Sequence, residues 1–195
     1  NIASAGELAD ALVYVRGELG YKDVIIEQYI GGEDYRLYVV GDQVIAAMHR
    51  IPPNVTGDGN STIKQLIKQK NEIRNDNPRL ISCPINVSKE TKDYLARKNY
   101  NLKTVPHAGE QVFLSDKANI SIGGDPVDAF DDIPEEVKEA AVRALKAVQG
   151  LEHGAVDMII DDSAGNVKAY VIELNPTSQL GGLLFPIKGK SRDVP

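Results

Sequence analysis

The chain has 195 residues, of which 42% are hydrophobic and 26% charged, the balance of an ordinary globular protein. A net charge of −6 argues against a nucleic-acid partner held by phosphate neutralisation, and no apolar run approaches the ~20 residues of a membrane span or forms a secretory leader. The single cysteine, Cys83, excludes an internal disulfide framework and fits a reducing, cytoplasmic compartment, while His49, His107 and His153 are scattered without zinc-ligand spacing.

Ser4 with Glu7 forms a capping-box signal, and Leu8, Leu12, Val15 and Leu19 recur at helical spacing behind it. A helix signal this close to the first residue is expected of a piece of a longer protein. Residues 23–30, with the β-branched run Val24-Ile25-Ile26 and then Tyr29-Ile30, predict a strand, broken by Gly31, Gly32, Glu33 and Asp34. A second strand over 35–40 turns at Gly41-Asp42 into a third over 44–50, which Pro52 and Pro53 end. Ser61 or Thr62 caps a helix running to about Arg74. Residues 75–84 are polar and proline-punctuated and read as a mobile link, with a further helix from Ser88 to Lys98. The helical region 56–104 reads as an insertion. A short strand over 110–114 precedes the loop 119–124, and Pro134 to Gln149 is the clearest helix, with Val137, Ala140, Ala141, Ala144, Leu145 and Val148 on one stripe. Elements alternate without a regular βαβ rhythm, so the expected class is α+β, an antiparallel sheet with packed helices.

The chemistry concentrates in the last hairpin. If its loop centres on Ala164, then Val156, Met158, Ile160, Ile172 and Leu174 share an apolar face, and Asp157, Glu173 and Asn175 fall on the other. Asp157 would then oppose Val171 and lie diagonal to Glu173, with Cβ atoms roughly 7–8 Å apart. Acids on the outer face of a hairpin are commonly just solvated. Here they sit in a β-branched run that ends abruptly at Asn175-Pro176, ahead of Gly181-Gly182. Two carboxylates and an amide oxygen form a hard-donor set suited to Mg²⁺.

Upstream, Glu27 with the backbone of Gln28 and Ile30 offers donors and acceptors to a planar base, and Asp34 offers a carboxylate to ribose hydroxyls. Arg36 and Arg50, on adjacent strands, are placed to converge as a clamp for phosphate or carboxylate oxygens. In the loop 119–124, Asn119, Ser121, Gly123 and Gly124 allow backbone N–H groups to approach an anion. Each motif alone also reads as an ordinary turn or loop.

Their order along the chain is more specific. The run 24–36 (Val-Ile-Ile-Glu-Gln-Tyr-Ile-Gly-Gly-Glu-Asp-Tyr-Arg), the block 50–63 (Arg-Ile-Pro-Pro-Asn-Val-Thr-Gly-Asp-Gly-Asn-Ser-Thr-Ile), the loop 119–124, the sequence Glu-Leu-Asn-Pro at 173–176 and the trailing 185–192 resemble the C-terminal half of an ATP-grasp ligase domain. The resemblance covers nearly the whole chain and lies closest to the cyanophycin synthetases and the ATP-grasp domain of bifunctional glutathione synthetases. It implies an ATP- and Mg²⁺-dependent ligase, with Mn²⁺ as an alternative metal. Such an enzyme joins a carboxylate to an amine of an amino-acid or peptide substrate through an acyl phosphate. It further implies that Glu27, Gln28 and Ile30 hold adenine, Asp34 holds ribose, and Asp157, Glu173 and Asn175 bind the metal. Arg36, Arg50 and Asn119 would then act at the reacting phosphoryl or acyl-phosphate end, and Ser121, Gly123 and Gly124 would line it. Related ligases often assemble as homo-oligomers. The family's lysine-bearing strand and glycine-rich flap lie upstream of this sequence. Ala155 stands where some members carry an arginine, as it does in the cyanophycin-like branch. Substrate selectivity is expected partly from residues 179–184. The competing expectation is a nucleotide-binding module without ligase activity.

Overall fold

The computed structural model describes residues 2–163 and 165–194. They divide into two compact units, one reaching Gly31 and the other beginning at Gly32.

In the first unit, α1 (Ala5–Val13) starts where the Ser4 hydroxyl accepts from the Glu7 amide at 3.2 Å. The Glu7 carboxylate reaches back one residue further than a capping box requires, accepting from the Ala3 amide at 2.7 Å. The helix loosens into a π-type turn over Tyr14–Glu18. No residue of α1 is buried. The expected strand over 23–30 is not formed; the segment has no regular structure, and Ile25 and Ile26 are exposed. Its composition suits a strand, but a strand persists only where a neighbour takes up its N–H and C=O groups, and no ladder partner exists among the described residues.

The second unit is built on a five-stranded antiparallel sheet in the order β5-β2-β1-β6-β7. The strands are β1 (Glu33–Val40), β2 (Gln43–Ile51), β5 (Asp125–Asp128), β6 (His153–Asp161) and β7 (Lys168–Asn175). β1 and β2 form a hairpin across Gly41, whose φ of 58° supplies the left-handed turn conformation. One sheet face packs on α4 (Glu135–Lys146) through Leu37, Val39, Ala47, Val156 and Met158 against Val137, Ala141 and Leu145. The α4 stripe read from the sequence is the core face from Val137 to Leu145. The helix ends at Lys146, so Val148 falls beyond it and is 45% exposed, and Pro134 lies just outside as the cap residue. The opposite face carries a second core, in which Tyr38, Ala46, Met48 and Ala155 meet Leu80, Ile120 and Leu183. Leu183 belongs to the short helix α5 (Gly181–Leu184).

A third core lies under a separate two-stranded sheet, β3 (Asn54–Thr56) with β4 (Gln111–Phe113). It joins Val55, Val112 and Leu114 to Ile63, Leu66 and Ile67 of α2 (Ile63–Asn75) and Leu95 of α3 (Lys89–Arg97). Thr62 caps α2 with a complete capping box to Gln65. The segment 75–84, expected to be a mobile link, is instead held tightly. Asn77 Oδ1 accepts from the amides of Arg79 and Leu80, Leu80 is fully buried, and the Cys83 carbonyl accepts from Arg74 Nε and Nη2 at 2.9 and 2.8 Å. Prolines and polar side chains signal a lack of helix or strand, not a lack of packing.

Candidate functional site

The site grows from the register of β1. Arg36 stands directly opposite Asp157 on β6 and opposite Met48 on β2. Asp34 and Arg36 are two apart on one strand, as are Met48 and Arg50, so all five side chains project from the sheet face away from α4. Asp157, 4% exposed, accepts from Arg36 Nε at 2.7 Å and Nη2 at 2.8 Å, a bidentate pair, and from Arg50 Nη1 at 3.0 Å. Arg50 Nε donates to Asp34 Oδ1 at 2.5 Å. The four side chains thus form one alternating chain, Arg36–Asp157–Arg50–Asp34, in which two positive and two negative charges cancel.

The two carboxylates titrate in opposite directions. Burial pushes Asp157 upward, but the Arg36 hydrogen bonds and the charges of both guanidinium groups outweigh it and hold the acid below its ordinary range. For Asp34, burial is the largest effect and wins over Arg50, so this acid lies above its ordinary range. Burial alone would lower Arg50, yet its bonds to Asp34 and Asp157 raise it.

The expected metal set is arranged differently from the sequence reading in one respect. Asp157 pairs directly with Glu173, not with Val171. The register Asp161↔Lys168 to Met158↔Val171 already runs one residue past a turn centred on Ala164, and a bulge in β7 before Asp157↔Glu173 adds the second step. Ile172 is the extra residue, 56% exposed and not on the buried apolar face where alternation puts it. Ala164, on which that reading centres the turn, lies outside the described residues. Direct opposition brings Cβ atoms to about 4.5–5.5 Å, closer than the diagonal spacing. Asn175 Nδ2 donates to Glu173 Oε1 at 2.7 Å. Asn175 Oδ1 and Glu173 Oε2 have no hydrogen-bond donor among the described residues. Glu173 and Asn175 thus offer hard oxygens of the kind Mg²⁺ takes, whereas Asp157 already accepts three arginine N–H groups and keeps about one acceptor position for a metal. Among the described residues no three His, Cys, Asp or Glu side chains group closely enough to hold a metal alone.

Facing the cluster is a cavity of about 150 Å³ lined by Arg36, Arg50, Met48, Asn119, Ser121, Arg79, Gln179 and Gly182. The structure therefore brings Asn119 and Ser121 of the predicted loop to the predicted arginines. Gly123 and Gly124 have a different position. Their amides donate within the loop, to Ile120 O at 3.0 Å and Asn119 O at 3.1 Å. Gly123 has φ +104° and packs on Ile85, while a Cβ at Gly124 would stand 2.8 Å from the carbonyl oxygens of Ala118 and Asn119. Both glycines shape the loop and neither lines the cavity. Glu27, Gln28 and Ile30 lie in the N-terminal unit outside any strand, the first two exposed and Ile30 half-buried.

The sequence reading missed Arg79, which lies in the stretch taken for a link. The pair Gly181-Gly182 was a weak signal for it: a Cβ at Gly181 would meet Arg79 Cδ at 2.6 Å, and one at Gly182 would meet Met48 Sδ at 2.8 Å. The glycines are what allow these side chains to pass beneath α5.

No protein-family model matches the chain. It is 36% identical over 176 residues to the glutathione biosynthesis bifunctional protein of Desulfotalea psychrophila, a match spanning 88% of this chain and 22% of that protein. It is 34% identical over 178 residues to cyanophycin synthetase of a Synechocystis species, covering 89% of this chain and 20% of that one. The crystal structure of a bifunctional glutathione synthetase from Pasteurella multocida aligns with a TM-score of 0.73 and 32% identity, over 85% of this chain and 24% of that chain. The chain thus spans about a fifth of the length of the curated relatives it matches. Among the described residues no helix is long and apolar enough to cross a membrane. The α+β architecture with its antiparallel sheet and these likenesses agree: the chain has an ATP-grasp fold and resembles the matched part of bifunctional glutathione synthetases and cyanophycin synthetase.

Proposed function

We propose that this chain is the C-terminal part of an ATP-grasp domain whose full protein is an ATP- and Mg²⁺-dependent carboxylate–amine ligase acting on amino-acid or peptide substrates. The observation that carries the reading is the Arg36–Asp157–Arg50–Asp34 chain facing a small cavity, in a chain 36% identical to a bifunctional glutathione biosynthesis protein. In the reaction, a substrate carboxylate oxygen attacks the γ-phosphorus of ATP and ADP leaves. The amine then attacks the carbonyl carbon, the amide bond forms as the carbon–oxygen bond to phosphate breaks, and the amine gives up a proton.

This chemistry needs positioning and charge compensation, not a protein nucleophile. Arg36 and Arg50 hold the transferring group; their guanidinium planes are fixed by Asp157 before substrate arrives, so little reorganisation accompanies the charge shift. Asn119 and Ser121 offer neutral polar contacts on the facing wall. Asp34 spends Oδ1 on Arg50 and keeps Oδ2 for a ribose hydroxyl, and Glu27 with the backbone of Gln28 and Ile30 recognises adenine. Gly123 and Gly124 serve by holding the loop in place. Asp157, Glu173 and Asn175 would hold Mg²⁺ or Mn²⁺, which offsets charge on the phosphate oxygens when bound. Residues 56–104 are read as an insertion with its own helices, supported by the separate core that they form with β3 and β4. The same reading carries a cytoplasmic, homo-oligomeric enzyme.

The test is steady-state phosphate release by the full-length protein. Release that requires ATP, an amino-acid or peptide carboxylate and an amine together supports the ligase. Nucleotide binding without amine-dependent release would leave a binding module in its place.

A further inference from the structure

We propose that Arg79 is the anion-binding residue that recruits the substrate carboxylate to this site; the assignment of substrate class rests on the ligase reading above. Arg36 and Arg50 are neutralised by Asp157 and Asp34 in the resting site. Arg79 lines the same cavity and has no carboxylate partner among the described residues. Its Nη1 donates to the thiol sulfur of Cys83 at 2.8 Å, and its Nε is sealed from solvent with no hydrogen-bond acceptor. A guanidinium always carries its charge, and a shielded cation without a counter-ion is costly. The cavity's excess positive charge is therefore that of Arg79.

The position is built. The Asn77 side chain accepts from the Arg79 amide at 2.9 Å and donates to the Phe185 carbonyl at 3.1 Å, fixing the turn that carries the arginine against the C-terminal segment. The aliphatic stem passes beneath Gly181, where any Cβ would lie 2.6 Å from Arg79 Cδ. Nη2 is neither bonded nor sealed among the described residues, and as a charged donor beside a cavity of about 150 Å³ it suits an oxygen of a carboxylate or a phosphate. In the proposed reaction one group has both identities in turn: the carboxylate before phosphoryl transfer and the acyl phosphate after it. Arg79 holds that group while Arg36 and Arg50 face the transferring phosphoryl.

The experiment compares full-length wild type with Arg79→Met, which keeps an unbranched stem under Gly181, and with Arg79→Ala in the presence of added guanidinium. The first reading is calorimetric titration with inorganic phosphate, which needs no turnover. The expected result is affinity at least about tenfold weaker in Arg79→Met, at a melting temperature no lower than that of wild type. The second reading is steady-state kinetics. KM for the carboxylate substrate rises at least about tenfold, KM for ATP stays within about twofold, and millimolar guanidinium partly restores Arg79→Ala. These thresholds correspond to loss of one charge-assisted contact. Unchanged phosphate affinity overturns the proposal, as does a rise in KM for ATP with none for the carboxylate. If wild type forms no amide yet phosphate binding depends on Arg79, the ligase reading and the carboxylate assignment fall while the oxyanion site stands.

Discussion

Two buried aspartates in this molecule each hold two cations, and they do opposite work. Asp125 accepts from Arg74 Nη1 at 2.8 Å, Lys70 Nζ at 2.5 Å and Asn54 Nδ2 at 3.0 Å. Arg74 is fully buried, and its remaining donors go to the carbonyls of Cys83 and Gly124, while Lys70 also reaches the Asn54 carbonyl. Every group is used in tying α2, β3 and β5 together. Asp157 also holds two cations, here both arginines; their side-chain exposure of 14% and 15% is no greater than the 17% of Lys70, but both line a cavity. A closed ionic cluster braces the fold; an open one keeps unspent donors for a ligand. Burial of the acid is nearly equal in the two, so burial alone does not separate a strut from a site.

The largest expected effect falls on the closed cluster. Asp125→Ala leaves the fully buried Arg74 without a counter-charge and should cost about 3–5 kcal/mol of stability, measured by denaturant unfolding. A loss below about 1 kcal/mol would break the distinction from that side. The open cluster should behave differently. Asp157→Asn retains shape, leaves Arg50 its bond to Asp34 and lets part-exposed guanidinium groups take up water, so stability should fall by only about 1–3 kcal/mol.

Packing around the two clusters gives the next contrast. Gly124→Ala forces a Cβ to 2.8 Å from two backbone carbonyl oxygens beside the Arg74 contact, whereas Gly182→Ala meets the thioether of Met48 at a similar distance. Backbone cannot give way as a methionine can. Gly124→Ala should therefore cost about 1–3 kcal/mol and Gly182→Ala clearly less, as read from paired thermal melts.

The smallest effect is in pH dependence. Asp157 has a folded-state pKa below its unfolded value, so the stability it adds is complete above the ordinary carboxylate range and is lost as pH falls through the folded value. Asp34 has a raised folded-state pKa, so its contribution declines as pH rises from the unfolded to the folded value. Asp157→Asn should flatten the acid side of the stability–pH profile, and Asp34→Asn should remove a fall on the other side. Equal profiles in the two variants would contradict the assigned directions.

Much of this was legible in the residues. The β1–β2 hairpin, the α4 stripe and the α2 cap were all read close to their observed bounds, because periodicity and capping are local signals. So was the convergence of Arg36 and Arg50, since even spacing on adjacent strands puts side chains on one face. What escaped depends on distant partners. The bulge at Ile172 moves Glu173 opposite Asp157, and nothing in the run Tyr170–Leu174 marks which residue is to be left out of the ladder. Residues 23–30 have strand composition and no strand beside them. Arg79 sits in a proline-flanked stretch whose packing is set by Asn77, Gly181 and Phe185, from 2 to about 106 positions away.

The most direct test of the account is single-turnover amide formation by the full-length protein carrying Asp157→Asn, with its thermal melt recorded alongside. The account predicts a protein that melts as a folded domain while amide formation falls by at least about 10²-fold. A folded variant forming amide at the wild-type rate would contradict it, leaving the open cluster as a second strut.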